Sequence, residues 1–181
     1  TGDLGRHDIP ILKDPYKISD ADYLIIESTY GDRVHETCYD CDSRLEKIIN
    51  QVCQRGGKII IPAFALERTQ EVVYSLHKLS QERKIPEIPI YVDSPLAVNV
   101  TEVFKAHPEC YDAETKEIFS KHQDNPFGFG KLTYITSVED SKKLNFLRGP
   151  YIIISAAGMC EHGRILHHLK NSIEDHRNTL I

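Results

Sequence analysis

Three stretches of this chain carry residues able to do chemistry. Glu27 closes the run Asp22-Tyr23-Leu24-Ile25-Ile26-Glu27, and Ser28, Thr29, Gly31 and Asp32 follow it. Three consecutive aliphatics, Leu24 to Ile26, predict a short strand buried on both faces. A carboxylate where such a strand opens into a loop is placed for proton transfer, or simply caps the strand end. Asp3 sits between glycines in Thr1-Gly2-Asp3-Leu4-Gly5-Arg6, which reads either as a metal ligand or as a tight turn. In Gly158-Met159-Cys160-Glu161-His162-Gly163-Arg164 two glycines bracket four residues between an apolar run and a helical one. That spacing predicts a backbone anion cradle with Arg164, His167 and His168 nearby, or a strand–helix turn that needs small residues. The turn lacks the Lys followed by Ser or Thr of a nucleotide-hydrolysing loop. His167 and His168 are adjacent, so on a helix they diverge by about 100° and only one can face a site. His7 and His35 lie in acidic loops and read as surface residues.

The elements that must position these residues alternate. Apolar runs at 58–62, 88–92, 132–136 and 151–155 predict strands, and 179–181 starts another. Helical patterns run from Asp42 or Ser43 (as cap) to about 54, from 67 to 79, from 95 with Ser94 as cap, near 113–120, from 138 to about 148 after a Ser137–Asp140 capping box, and over 163–173. The helix after Ser94 is expected to turn Leu96, Val100, Val103 and Phe104 inward. Solid apolar strands separated by helices predict an α/β fold, a doubly wound parallel sheet covered on both faces. Ligands of such sheets bind beyond the carboxyl ends of the strands, here the turns at 62–66, 93–95 and 155–163. Phe127 and Phe129 read as exposed loop aromatics, available to stack on bases or to pack on another domain.

Composition narrows the function classes. The net charge of -5 is uneven: residues 1–40 hold nine acids against four bases, while 140–181 hold six bases, four acids and four of the nine histidines. That excludes a globally basic nucleic-acid binder but suits a metal at one end and an anionic substrate at the other. Five cysteines (38, 41, 53, 110 and 160) at irregular spacings fit free thiols in a reducing cytoplasm better than a disulfide framework. Cys38-Tyr39-Asp40-Cys41 lacks both the second pair of a zinc knuckle and the preceding strand of a redox motif. No apolar run is long enough to cross a membrane. The polar opening Thr-Gly-Asp suggests a piece of a longer chain.

Taken together, these stretches resemble the β-CASP branch of the metallo-β-lactamase superfamily, which includes the RNA-processing nucleases of the cleavage-and-polyadenylation type. Thr1-Gly2-Asp3-Leu4-Gly5-Arg6 resembles the family's Asp-bearing metal motif, and Ile26-Glu27-Ser28-Thr29-Tyr30-Gly31 its acidic motif A. Ile61 to Arg68, Val92 to Ala97 and Gly158 to Leu169 resemble further family segments. The resemblance implies a Rossmann-like β-CASP domain over residues 34–181 and a short remnant of a metallo-β-lactamase domain over 1–33. It makes Asp3 a metal ligand and Glu27 a catalytic residue, and it places Arg68, Ser94, Ser155, Gly158, Gly163, Arg164 and His167 against RNA or its phosphates. The family holds two zinc ions with an H-x-H-x-D-H motif and later histidines that this sequence lacks, so no zinc and no activity are expected of these residues alone. The implied partners are single-stranded RNA and the absent metal domain, with homodimerisation left open. A non-catalytic nucleotide-binding or scaffold module is the competing reading.

Overall fold

Strand and helix alternate from residue 58 onward as the apolar runs predict. The computed structural model describes residues 1–34, 40–122 and 125–181, the side chains of 120–122 excepted. Its elements are α1 (Cys41–Gln54), β1 (Ile59–Pro62), α2 (Arg68–Gln81), β2 (Ile90–Asp93), α3 (Pro95–Ala106), a 3-10 turn (Pro108–Cys110), α4 (Ala113–His122), β3 (Leu132–Ile135), α5 (Val138–Leu144), β4 (Ile152–Ser155), α6 (Ile165–Lys170) and β5 (Thr179–Leu180). The sheet order is β3-β2-β4-β1-β5, and every pairing is parallel. The α/β doubly wound architecture expected of the sequence is therefore the one observed.

Side-chain alternation along the strands sorts the core into two layers. Ile59, Ile61, Ile90, Val92, Ile152 and Ile154 pack with Ile49, Val52, Val73, Leu76 and Leu79 on one face. Ile135, Leu144, Tyr151 and Ile153 make a smaller cluster on the other. Burying one isoleucine contributes roughly 1.5–3 kcal/mol relative to leaving it exposed. Ile152, Ile153 and Ile154 are at most 1% exposed, so β4 anchors the sheet from its centre. At the edge, a Cβ on Gly57 would lie 1.8 Å from the Arg177 carbonyl oxygen. Only glycine lets the chain entering β1 cross the chain entering β5 so closely.

Several local expectations need correction. The predicted strand at 22–27 is not a strand, and Leu24, Ile25 and Ile26 are 59%, 85% and 52% exposed. The segment lies off the five-stranded sheet, and nothing among the described residues covers it. Phe127 and Phe129 are 1% and 9% exposed. Phe127 packs edge-on against Phe104, and Phe129 against His77, so these rings build core and present no face to a base. On α3 the buried residues are Ala97 and Thr101, with Leu96 and Val103 exposed. Thr101 is drawn inward because its Oγ1 accepts from Gln70 Nε2 at 3.0 Å and donates to Ala97 O at 2.8 Å. The N-cap of α1 is Asp40 rather than Asp42 or Ser43, and it makes no side-chain capping bond.

Cysteine 41 is disulfide-bonded, against the expectation of free thiols; an odd total leaves room for one pair. Cys53, Cys110 and Cys160 are free. Cys38 and His35 lie outside the described residues. His7 is exposed as expected and pairs with Asp14 at 3.2 Å. No helix among the described residues is long and apolar enough to cross a membrane.

Candidate functional site

The strand register aligns the carboxyl ends of four strands. Pro62 pairs with Ser155, Ser155 with Asp93, and Asp93 with Ile135. From β2 the chain leaves toward β3, and from β4 it leaves toward β5, in opposite directions across the sheet. Adjacent strands whose connections diverge leave a crevice between them. Asp93 and Ser155 end the two strands that flank it.

Asp93 occupies that crevice and is fully buried. Its Oδ1 accepts from Arg164 Nη1 at 2.7 Å, and its Oδ2 from His168 Nε2 at 2.6 Å and Ser141 Oγ at 2.5 Å. Burial alone would push the Asp93 carboxyl up, but the hydrogen bonds from His168, Ser141 and Arg164 outweigh it and hold the group below the usual carboxylate range. The other ring nitrogen of His168 meets the Asn145 side-chain amide at 2.9 Å. Arg164 also donates to Ile135 O at 3.2 Å and Thr136 O at 2.6 Å. Ser155 Oγ donates to the Asp93 carbonyl at 2.9 Å. One aspartate thus ties the ends of β2, β3 and β4 to α5 and α6, holding the groups of both helices through its carboxylate and Ser155 of β4 through its carbonyl.

This lock was missed in the sequence. The signal was available: Asp93 follows a solid apolar strand, the same cue that singled out Glu27. The guanidinium of Arg164, expected to face a phosphate, is committed instead to Asp93 and two carbonyls. Of the two adjacent histidines, His168 is buried in the lock and His167 is exposed, as their divergence on a helix requires.

The β4–α6 turn is shaped by close approaches. Gly163 has φ +83, and a Cβ there would lie 2.5 Å from Ala156 O. A Cβ on Gly158 would lie 3.1 Å from the Phe64 ring, so the turn after β4 rests on the turn after β1. Ala157 N–H donates to His162 O and Ile165 N–H to Ala156 O, closing the loop on itself. Among the described residues, no main-chain carbonyl accepts from the N–H groups of Gly158, Met159, Glu161, His162 or Gly163. The helix that follows is only six residues long, shorter than the predicted 163–173.

The remaining expected site residues stand around the same edge. Ser94 caps α3, its Oγ accepting from Ala97 N–H at 3.2 Å. Arg68 opens α2 and donates to Glu71 Oε2 at 2.6 Å. Phe64, Leu66, Leu96 and Met159 are 54–69% exposed, an apolar rim that the sequence reading did not anticipate. Asp3 and Glu27 come together in the N-terminal segment. Leu4 N–H donates to Glu27 Oε1 at 2.7 Å, Glu27 N–H to Thr1 Oγ1 at 3.3 Å, and the Thr1 amine to Ile25 O at 2.6 Å. Both carboxylates are exposed. Burial pushes the Glu71 carboxyl up, opposed in part by Arg68 and, more weakly, by Arg6. Among the described residues no group of three or more His, Cys, Asp or Glu side chains could hold a metal ion.

A family model described as the Beta-Casp domain matches residues 69–181. Ribonuclease TTHA0252 of Thermus thermophilus is 36% identical over 181 residues, all of this chain and 41% of its own length. The transcription termination factor FttA of Methanosarcina mazei is 30% identical over 185 aligned positions, all of this chain and 29% of its own. The endoribonuclease YSH1 of Saccharomyces cerevisiae is 30% identical over 144 residues, 77% of this chain and 18% of its own. The chain thus spans less than half the length of the curated relatives it matches.

Proposed function

The chain belongs to the Beta-Casp family, and from that membership we propose that it is the nucleic-acid-clamping part of a zinc-dependent, metallo-β-lactamase-type ribonuclease that hydrolyses RNA phosphodiester bonds. The observation that carries this reading is the pairing of 1–4 with 25–27, which sets Asp3 beside Glu27 as exposed carboxylates. In this reading residues 1–33 belong to the metal domain and 34–181 form the clamp. Exposed Leu24, Ile25 and Ile26, with Phe64, Leu66, Leu96 and Met159, are the apolar surface that the rest of the protein covers.

The residues of this chain do not by themselves fit a zinc site. Asp3 and Glu27 are two oxygen donors where a structural or catalytic zinc takes about four ligands. The other ligands come from the metal domain in this reading. The clamp holds RNA by its backbone: the free amides of Gly158, Met159, Glu161, His162 and Gly163 face phosphate oxygens, and exposed His167 and Arg68 add positive or polar contacts. Ser155 acts through Asp93, and Ser94 by fixing the start of α3. Arg164 serves by holding the turn in shape rather than by touching RNA. Contacts of this kind position a strand and carry no sequence information. Glu27 positions or exchanges a proton at the leaving oxygen. In the same reading the protein works in the cytoplasm.

Mobility-shift titration of the protein with a single-stranded oligoribonucleotide and with a mononucleotide tests it. A clamp retains the oligonucleotide, with affinity falling linearly in log–log form as salt rises. Retention of the mononucleotide alone would contradict a clamp.

A further inference from the structure

The opposite edge of the sheet carries a cluster of cations, Lys58, Arg148 and Arg177. Lys58 precedes the first residue of β1 and Tyr151 the first residue of β4, roughly 13 Å from the rim across four-residue strands. Beside Lys58 opens a hollow of about 440 Å³, lined by Lys58, Arg148, Arg177, Asp175 and Phe146 among others. Its lining holds three cations to one carboxylate. That carboxylate is engaged: Asp175 accepts from Arg177 Nε and Nη2 at 2.7–3.2 Å. Among the described residues Lys58 has no carboxylate in ion-pair range, its Nζ lying 3.4 Å from Asn145 O and 5.3 Å from the centre of the Tyr151 ring. Arg148 has no hydrogen bond or ion pair among them. Burial draws the Lys58 ammonium below its ordinary value, the mark of a cation partly stripped of water with no full counter-charge. Beside these groups Phe146 stands 84% exposed.

We propose that this hollow binds a nucleotide unit, its phosphate against Lys58 and Arg148 and its base on the Phe146 ring. Unpaired cations next to an exposed aromatic are the combination that grips single strands without reading sequence. The volume falls in the range of small-ligand sites. The reading of the protein as an RNA clamp supplies the source: a strand held at the rim continues to the far edge and is gripped a second time there. The same chemistry also accepts a free nucleotide.

Both sources are tested with two exposed-residue variants, Arg148→Gln and Phe146→Ala, checked for an unchanged melting curve. Anisotropy of labelled oligouridylate is expected to show about tenfold weaker binding for each. For Arg148→Gln the log–log salt slope also falls by roughly one. Oligouridylate that binds both variants like the parent, yet is lost on His167→Ala, overturns the hollow and leaves the rim reading standing. If oligouridylate does not bind the parent at all, calorimetric titration with uridine monophosphate decides. Binding that Arg148→Gln abolishes keeps the hollow as a free-nucleotide site while the clamp reading fails. No binding overturns both.

Discussion

Asp93→Ala is expected to lower stability by about 3–5 kcal/mol, because removing one member of a buried charged network leaves the others uncompensated. Arg164 and His168 lose their carboxylate, Ser141 its acceptor, and the end of β2 its tie to α5 and α6. Asp93→Asn keeps the shape and some of the hydrogen bonding, so it is expected to fall between the parent and the alanine variant. Urea denaturation midpoints at constant slope measure both. A loss under 1 kcal/mol for Asp93→Ala would mean that the lock is ornamental. The pH dependence has a definite sign. The folded state holds the Asp93 carboxyl below its ordinary value, so it favours the ionised form. The stabilisation is fully present above the unfolded value of about 3.9 and is lost as pH falls through the lower folded one. The parent should therefore lose stability below about pH 4 more steeply than Asp93→Asn.

The second large effect concerns chemistry. In a chain that also carries the metal domain, Glu27→Gln is expected to lower kcat on RNA by about 10²–10⁴-fold, the usual contribution of a positioned proton-transfer group. Glutamine keeps an oxygen for the Leu4 N–H that now meets Glu27 Oε1 at 2.7 Å. The loop, the position of Asp3 and RNA affinity should hold. Single-turnover cleavage with saturating RNA separates the two contributions. A variant that binds weakly but cleaves at the parent rate would show Glu27 to be a strut rather than a participant.

The contrast between these two carboxylates shows what was legible in the sequence. Each follows an apolar run. For 88–92 the run is a strand with neighbours on both sides, and its terminal aspartate is buried in a lock. For 24–26 the same pattern is exposed, because burial depends on a neighbour that the run itself does not encode. Periodicity located every strand from 59 onward to within two residues at its start, and the Ser94 and Ser137 caps were readable because their side chains bond nearby amides. Long-range partners were not readable. Nothing near Arg164 in sequence says that its guanidinium turns inward to Asp93, 71 residues away. Nothing local says that Phe127 and Phe129 close a core while Phe64 stays at the surface. Glycine at 163 was legible as a special position, but the pressing neighbour, Ala156 O, appears only when the turn folds back.

The clamp is tested most directly by where RNA touches it. Single-stranded RNA carrying 4-thiouridine, photo-crosslinked to the protein and mapped by mass spectrometry, is expected to label the turns at 62–66, 93–96 and 155–163. Crosslinks confined to the outer faces of α1 and α4, with none in those three turns, would contradict the carboxyl edge of the sheet as the surface that holds the strand.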